Sequence, residues 1–540
     1  MKEMKNYLLQ VLALFFLLFY FPLPVLSDVV FYVNINSGDD SNDGLSWNSA
    51  FKNLQPAIDA AVTGDTIKVA AGTYLPTEKI AMVYDEEATT VLPTNDRHRS
   101  FLIKDAVCLL GGFPADATDA TAMSNRDWIK NKTILSGDFN GDDGDNFANR
   151  DENALHVVVM LNATSATRLD GFYITGGNAY DDAADVIIDD IIVQRNCGSG
   201  IYAFSEDDSS PTLTNLVIWD NQAENDGGGL YNYSIGMNAS PQLKNVSVIS
   251  NRAGRWGGGF YNDGMYAAPI LLNVNLSGNL TTYDGGGFFC VAEKAAAPSL
   301  ENVLMAGNMA KTGGGAFIRA LEEDASPVLT NVTICGNKAS GAGGGLFVTS
   351  IALINLYIRN SVIWGNSADN LRIEGNRGEV IGPCNFIEGA LHNYSIWDDN
   401  VEPMFVDPIS ANDAPTVSGD YRLLAKSPLI DKGDNSYVTL PGDLGGQPRI
   451  VGDAVDIGAY EYQGDNSGNE RLSTYDQIWS HQGILYVKIT GNDVTLRVYS
   501  LNGQLVRQAN KLEEGFYTFP LPNGIYFITL STGVTAKIGL

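Results

Sequence analysis

The sequence predicts an all-β chain: a right-handed parallel β-helix solenoid followed by a small C-terminal β-sandwich. Three observations predict it. Asparagine recurs at Asn215, Asn245, Asn273, Asn302, Asn331 and Asn360, in steps of 28 to 30 residues, and a second asparagine follows each by six, from Asn221 to Asn366. Glycine triplets begin at Gly227, Gly257, Gly285, Gly313 and Gly343 in the same step, with a degenerate "GSG" at Gly198. The runs between, such as "LTNLVIWDN" and "LKNVSVISN", are strand-length and rich in β-branched residues and leucine.

A unit of ~29 residues cannot bury its own apolar face, so units stack, with equivalent strands paired in parallel about 4.8 Å apart. The connection between such strands is right-handed. An inward-turned asparagine then meets its counterpart one coil away and makes an amide ladder at a bend. The triplets supply positive φ and close backbone approach at another corner. Four residues after each triplet begins stands an aromatic: Tyr202, Tyr231, Tyr261, Phe289, Phe317 and Phe347. That column reads as a ring stack for packing, with a ligand platform as the alternative.

In chain order, "MKEMKNYLLQVLALFFLLFYFPLPVLSD" has basic Lys2 and Lys5, an apolar run from Leu8 to Phe21, and small Ser27. It reads as a signal peptide over 1–27, cleaved before Asp28. No cysteine follows at once, against a lipid anchor, and no later apolar run is long enough to span a bilayer. In "FKNLQPAIDAA", Phe51, Leu54, Ile58 and Ala61 share one helical face, a capping helix, and "GDTIKVAAGTY" reads as the first coil. The β-helix with its cap is expected over 28–400. A closing segment covers 401–462, since open solenoid ends need covering. Residues 463–480, including polar "QGDNSGNERLS", form a linker. From 481 to 540, strands alternate with Asn502-Gly503 and Asn523-Gly524 turns, a small sandwich.

Several of these segments resemble known families. "LDGFYITGGNA", "GSGIY" and "SPTLTNLVIWDNQA" resemble the β-helix repeats of Bacteroidetes surface proteins and of chlamydial polymorphic outer membrane proteins. The opening, from "FYVNINSGDD" to "VAAGTY", resembles pectate-lyase-like β-helices. "FVD", "DYRL", "SPLIDKG" and "DIGAYE" resemble the closing segment of the same bacterial proteins. The likeness spans roughly residues 31–462 and implies a fold rather than an activity. The tail resembles the Ig-like sorting domain of the type IX secretion system: Val498, Tyr499, Gly503, Val506 and Gly524–Tyr526 match, while Ser500 and the end "KIGL" depart mildly. That likeness implies export by the type IX machinery to the medium or the outer-membrane surface of a Gram-negative bacterium.

The formal charge is −29, from 34 Lys+Arg against 63 Asp+Glu. Such a field argues against nucleic acid as a partner and suits a solvated acidic surface or divalent cations. The five cysteines are odd in number and none pairs at metal-ligand spacing, so buried free thiols are expected. With four histidines, neither a His/Cys zinc site nor a Ser-His-Asp triad is assignable.

Two constellations carry possible chemistry. "DFNGDDGDN" sets Asp138, Asn140, Asp142, Asp143 and Asp145 on a glycine-rich loop, an oxygen set suited to Ca2+, although Asp143 stands where an EF-hand needs glycine. "GDDSNDG", from Gly38, raises the same question, and "DDAADVIIDD", from Asp181, reads as a protruding acidic loop. The residues just before the triplets stack along one edge: Asn225/Asp226, Arg255/Trp256, Tyr283/Asp284 and Lys311/Thr312. Aromatic faces beside Arg and Asp suit a glycan, with Arg255, Trp256, Tyr283 and Asp284 as ligand-binding candidates. A lyase would need an acid cluster and a Lys or Arg base, and a hydrolase two spaced carboxylates, so Asp226, Arg255, Asp284 and Lys311 are the catalytic candidates. Non-catalytic adhesion or glycan binding is the leading expectation, with a polysaccharide or a host or bacterial surface as partner. A lyase or hydrolase of an acidic glycan comes second, and a passive structural surface protein third.

Overall fold

The computed structural model describes residues 28–539 other than 81, 86–89, 93–94, 181–184, 189–190, 293–296, 322–325, 352–354, 376–379, 390–400, 465–476, 482–483, 490–493, 501–503, 513–514, 521–524 and 532–534. The expected signal peptide, most of the linker, both ends of the Asp181–Asp190 insert, Gly503 and Gly524 lie outside the described residues. The chain divides into two compact units between Gln463 and Gly464.

The first unit is a right-handed parallel β-helix. Among the described residues it carries a 17-stranded sheet, a nine-stranded sheet and a sheet of six short strands. Each of the four repeats whose first strands begin at Thr212, Gln242, Ile270 and Ser299 contributes one strand to each, and the next splits its first strand into Val328–Thr330 and Thr333–Cys335. Thr212–Trp219 pairs in register with Gln242–Ile249, which pairs with Ile270–Ser277 and then Ser299–Ala306. The asparagine at the middle of each such strand adopts φ near +53°, from Asn215 to Asn360, and bends the strand there. Asparagine is among the few non-glycine residues that take this conformation readily. Leu213, Leu243, Leu271, Leu300 and Leu329 point inward as one column of the core.

Both asparagine series form ladders. In the buried one, Asn251 Nδ2 lies 3.2 Å from Asn279 Oδ1, Asn279 Nδ2 3.0 Å from Asn308 Oδ1, and Asn308 Nδ2 2.9 Å from Asn337 Oδ1. The same Oδ1 atoms accept backbone N–H groups, as Asn308 Oδ1 does from Asn279 at 2.9 Å. In the strand-bend series the direction reverses: Asn245 donates back to Asn215 at 3.0 Å, and Asn302 back to Asn273 at 3.0 Å.

At the triplet corner the first glycine takes positive φ, as Gly257 does at +63°. The second faces the next coil so closely that a Cβ on Gly258 would fall 2.6 Å from the carbonyl oxygens of Gly286 and Leu280. The aromatic column follows. Tyr231, Tyr261, Phe289, Phe317 and Phe347 stack at centroid spacings of 5.0 to 5.3 Å with their planes within 11°. All are buried, on the outer side of the nine-stranded sheet. Each such pair contributes about 0.5–1.5 kcal/mol. Burial makes the column packing rather than a ligand platform.

The helix Leu54–Ala60 buries Leu54, Ala57 and Ile58 against the core, with Phe51 and Ala61 beside them. It does not precede the first paired strand. Val30–Val33 already pairs in parallel with Thr66–Val69, so the solenoid starts before the helix. Phe31 and Val33 alternate inward beside Ile67 and Val69, which is the pattern a first coil needs.

The closing segment packs along the flank of the solenoid. Phe405, Tyr421, Leu423, Leu429 and Ile457 cover Leu304, Ala306, Cys335 and Val362, side chains that point outward from the 17-stranded sheet. Glu301, nearly buried, accepts from the backbone N–H groups of Thr439 at 2.9 Å and Leu440 at 3.2 Å and from the Thr439 hydroxyl. The "DIGAYE" motif holds the segment's own loops. Asp456 accepts from Asp431 and Tyr462, Glu461 from Val451 and Asp456, and both lie near buried Arg449.

Among its described residues the second unit holds two antiparallel sheets. One contains Gln477–His481, Ile484–Ile489 and Gly515–Pro520; the other Val494–Ser500, Leu505–Leu512, Ile525–Leu530 and Thr535–Gly539. Leu496, Val498 and Ile528 are fully buried.

Candidate functional site

The edge residues come together as the repeat register requires. Arg255 N–H donates to the Asn225 carbonyl at 2.8 Å, Tyr283 N–H to Arg255 at 3.2 Å, and Lys311 N–H to Tyr283 at 2.7 Å. Trp256, Asp284 and Thr312 bridge in parallel on successive coils. The ledge therefore runs across four coils, one candidate pair per coil.

The charged groups are engaged with one another. Arg255 grips Asp226 at two points, Nε to Oδ1 at 2.9 Å and Nη2 to Oδ2. Asp226 also accepts the Trp256 backbone N–H at 3.2 Å and is 2% exposed. Burial pushes its carboxyl above the ordinary carboxylate range, and the guanidinium opposes that rise. The hydrogen bond to Asp226 raises Arg255 further above its own usual value. Such a two-point pair fixes geometry as well as charge.

The Arg255 guanidinium carbon sits 4.3 Å from the Trp256 ring centroid, and the Trp256 ring stacks on Phe289 at 5.3 Å with planes 5° apart. One coil on, the Lys311 ammonium lies 5.7 Å from the Tyr283 ring centroid. Tyr283 is 49% exposed. Burial also raises the Asp284 carboxyl, opposed by a hydrogen bond from Thr312, the Lys311 charge and a hydrogen bond from Trp256.

The acidic loop gathers differently from its sequence spacing. Asp138, Asp142 and Glu152 place one carboxylate oxygen each within 4.8 Å of one another. Asp145 is exposed and takes no part in that group of carboxylates, and Asn140 is exposed. Asp143 turns instead to Arg150 at 3.4 Å and Asn153 at 3.0 Å, with its carboxyl pushed up to about 6 by burial. Asp138 also caps the turn, accepting from Gly141 N–H at 2.7 Å. Burial raises the Glu152 carboxyl, and the neighbouring Asp142 and Asp138 charges add to it. Glu152 stands beyond the quoted motif, and no local spacing marks it; only the return of the chain toward Asp138 brings it in. Three oxygens of this kind suit a hard cation such as Ca2+, which takes six to eight oxygen ligands including carbonyls and water.

The "GDDSNDG" acids make turns. Asp39 accepts from Ser41, Asp43 from Leu45 and Ser49, and Asp40 from Lys52 and Asn53. All five cysteines are free thiols; Cys197, Cys290 and Cys335 are buried, and burial pushes each well above the ordinary thiol range, which makes them poor nucleophiles.

No curated protein matches this chain. Among solved structures, the crystal structure of pectate lyase Pel9A is similar over 81% of this chain and 97% of that chain, at 14% identity and a TM-score of 0.38. Among the described residues, no helix is long and apolar enough to cross a membrane. Residues 481–538 match the secretion system C-terminal sorting domain, so the chain is a cargo of the type IX machinery, delivered to the cell surface or the extracellular space.

Proposed function

We propose that the β-helix is a non-catalytic binding protein whose ledge, from Asn225 to Thr312, takes a glycan. The observation that carries this reading is the pairing of Asp226 with Arg255: a buried carboxylate held at two points by a guanidinium is a built support, and neither group is free to move a proton. Trp256 and Tyr283 then present ring faces with cations set against them. Ca2+ at Asp138, Asp142 and Glu152 is proposed as a loop staple rather than as a reaction partner.

A polysaccharide lyase or glycoside hydrolase on the same ledge is the second reading. It is favoured by one observation, the raised carboxyl of half-buried Asp284, which suits a general acid. Incubating the full chain with immobilised and soluble polysaccharides, with and without Ca2+, separates the two. Retention without shorter products is the expected result. Release of shorter products overturns it in favour of an enzyme, and no retention on any glycan leaves a passive surface protein.

A further inference from the structure

We infer that the ledge selects neutral rather than acidic glycans. The inference rests on the glycan-binding reading above and deepens it. The ledge carries two acids, Asp226 and Asp284, and two bases, Arg255 and Lys311, so its formal charge is zero. What matters is where those charges point. Recognition of a sugar carboxylate calls for a cation with unfilled donors facing the ligand, as in a two-point guanidinium clamp. Arg255 has already used Nε and Nη2 on Asp226. Lys311 Nζ lies 5.7 Å from the Tyr283 ring centroid, and its charge is balanced by the neighbouring Asp284 carboxyl, on which it acts.

A uronic-acid chain laid across four coils would thus bring one carboxylate per sugar toward a surface with no surplus cation. It would also approach a molecule of net charge −29. Long-range repulsion is screened beyond about 8 Å at physiological ionic strength, so the local balance is the larger effect. A neutral pyranose meets none of this. Its apolar C–H face can lie on the half-exposed Tyr283 ring or on Trp256, and its hydroxyls can donate to Asp284. The coil step of about 4.8 Å places those groups at intervals comparable with a sugar ring.

The test measures retention of the full chain on immobilised neutral β-glucan and xylan, and on polygalacturonate and alginate, at low and high salt. Wild type is compared with Tyr283→Ala and with Lys311→Gln. The expected result is retention on a neutral glycan, insensitive to salt and about tenfold weaker for Tyr283→Ala from the loss of one ring contact. Stronger retention on polygalacturonate or alginate, lost in Lys311→Gln or at high salt, would overturn the neutral preference while leaving a glycan-binding ledge. Absence of retention on all four, or retention that Tyr283→Ala leaves intact, overturns the ledge itself.

Discussion

A Cβ on Gly307 would fall 2.1 Å from the carbonyl oxygen of Thr416. Gly307 sits at the position just before the buried ladder asparagine, where every coil from Asp220 to Gly365 has positive φ. Where the closing segment does not reach, that position is Asp220, Ser250 or Gly365, the last with nothing within 4 Å of an added Cβ; where it does, it is Gly278, Gly307 or Gly336, and a Cβ on each would strike Val417, Thr416 or Ile409. Gly307→Ala therefore carries the left-handed backbone cost of about 1–2 kcal/mol and a collision as well. Its Tm should fall and residues 401–462 should become protease-sensitive. Ser250→Ala, at the same backbone position without the neighbour, should change stability by about 0.5 kcal/mol or less.

Asn308→Ala should be among the most damaging single changes. It removes the acceptor for the Asn279 N–H and Nδ2 and the donor to the Leu276 and Asn337 oxygens, all of them buried. Each orphaned buried group costs about 1–3 kcal/mol, so a loss of roughly 3 kcal/mol or more in a urea titration is expected. Asn308→Asp keeps the acceptor but sets a buried carboxylate against the Leu276 and Asn337 oxygens, and at neutral pH should cost at least as much as Asn308→Ala.

Arg255→Ala leaves the Asp226 carboxyl buried without its cation. A fully buried pair broken in this way costs about 3–5 kcal/mol, but Arg255 is 44% exposed, which lowers the expectation to roughly 1–2 kcal/mol. Adding Asp226→Asn should restore much of it. A double-mutant cycle by chemical denaturation reads the coupling, and strict additivity would count against the pair.

Stability should depend on pH in two opposed ways. Burial raises Glu461 from 4.5 to about 7 and Asp456 from 3.8 to about 6, so the folded state holds protons that the unfolded chain has released. Their contribution is fully present below the unfolded values and is lost as pH rises toward 7. Burial lowers His156 from 6.5 to about 4, so its contribution is present above 6.5 and is lost as pH falls toward 4. Glu461→Gln should flatten the decline between pH 4.5 and 7 while leaving the opposing His156 contribution in place. Unfolding free energies of both proteins across that range check it.

If Ca2+ joins Asp138, Asp142 and Glu152, added Ca2+ raises Tm and chelation reverses the gain. At a hundredfold excess over Kd the gain is about 2.7 kcal/mol. Glu152→Gln should abolish the response, whereas Asp145→Asn, at an exposed position outside the group, should keep it. Calorimetric titration gives the affinity directly.

The β-helix was legible because in a parallel solenoid the repeat period is also the contact map. Residues one period apart meet one coil apart, so the asparagine ladders, the aromatic column and the order of the ledge follow from counting along the chain. The sorting domain was legible from a local motif, Val498, Tyr499, Gly503, Val506 and Gly524–Tyr526, whereas its pairings of Ile484–Ile489 with Gly515–Pro520 and of Val494–Ser500 with Ile525–Leu530 join segments about thirty residues apart. Tertiary structure alone decided what does not repeat. Glu152 joins Asp138 only because the intervening loop folds back, the closing segment lies on Leu304 and Cys335 through contacts about a hundred residues apart in sequence, and Asp226 is committed to Arg255 rather than left free. The sequence placed those two charges on neighbouring coils, but whether they face solvent or each other depends on burial, because a desolvated carboxylate requires a partner that an exposed one does not.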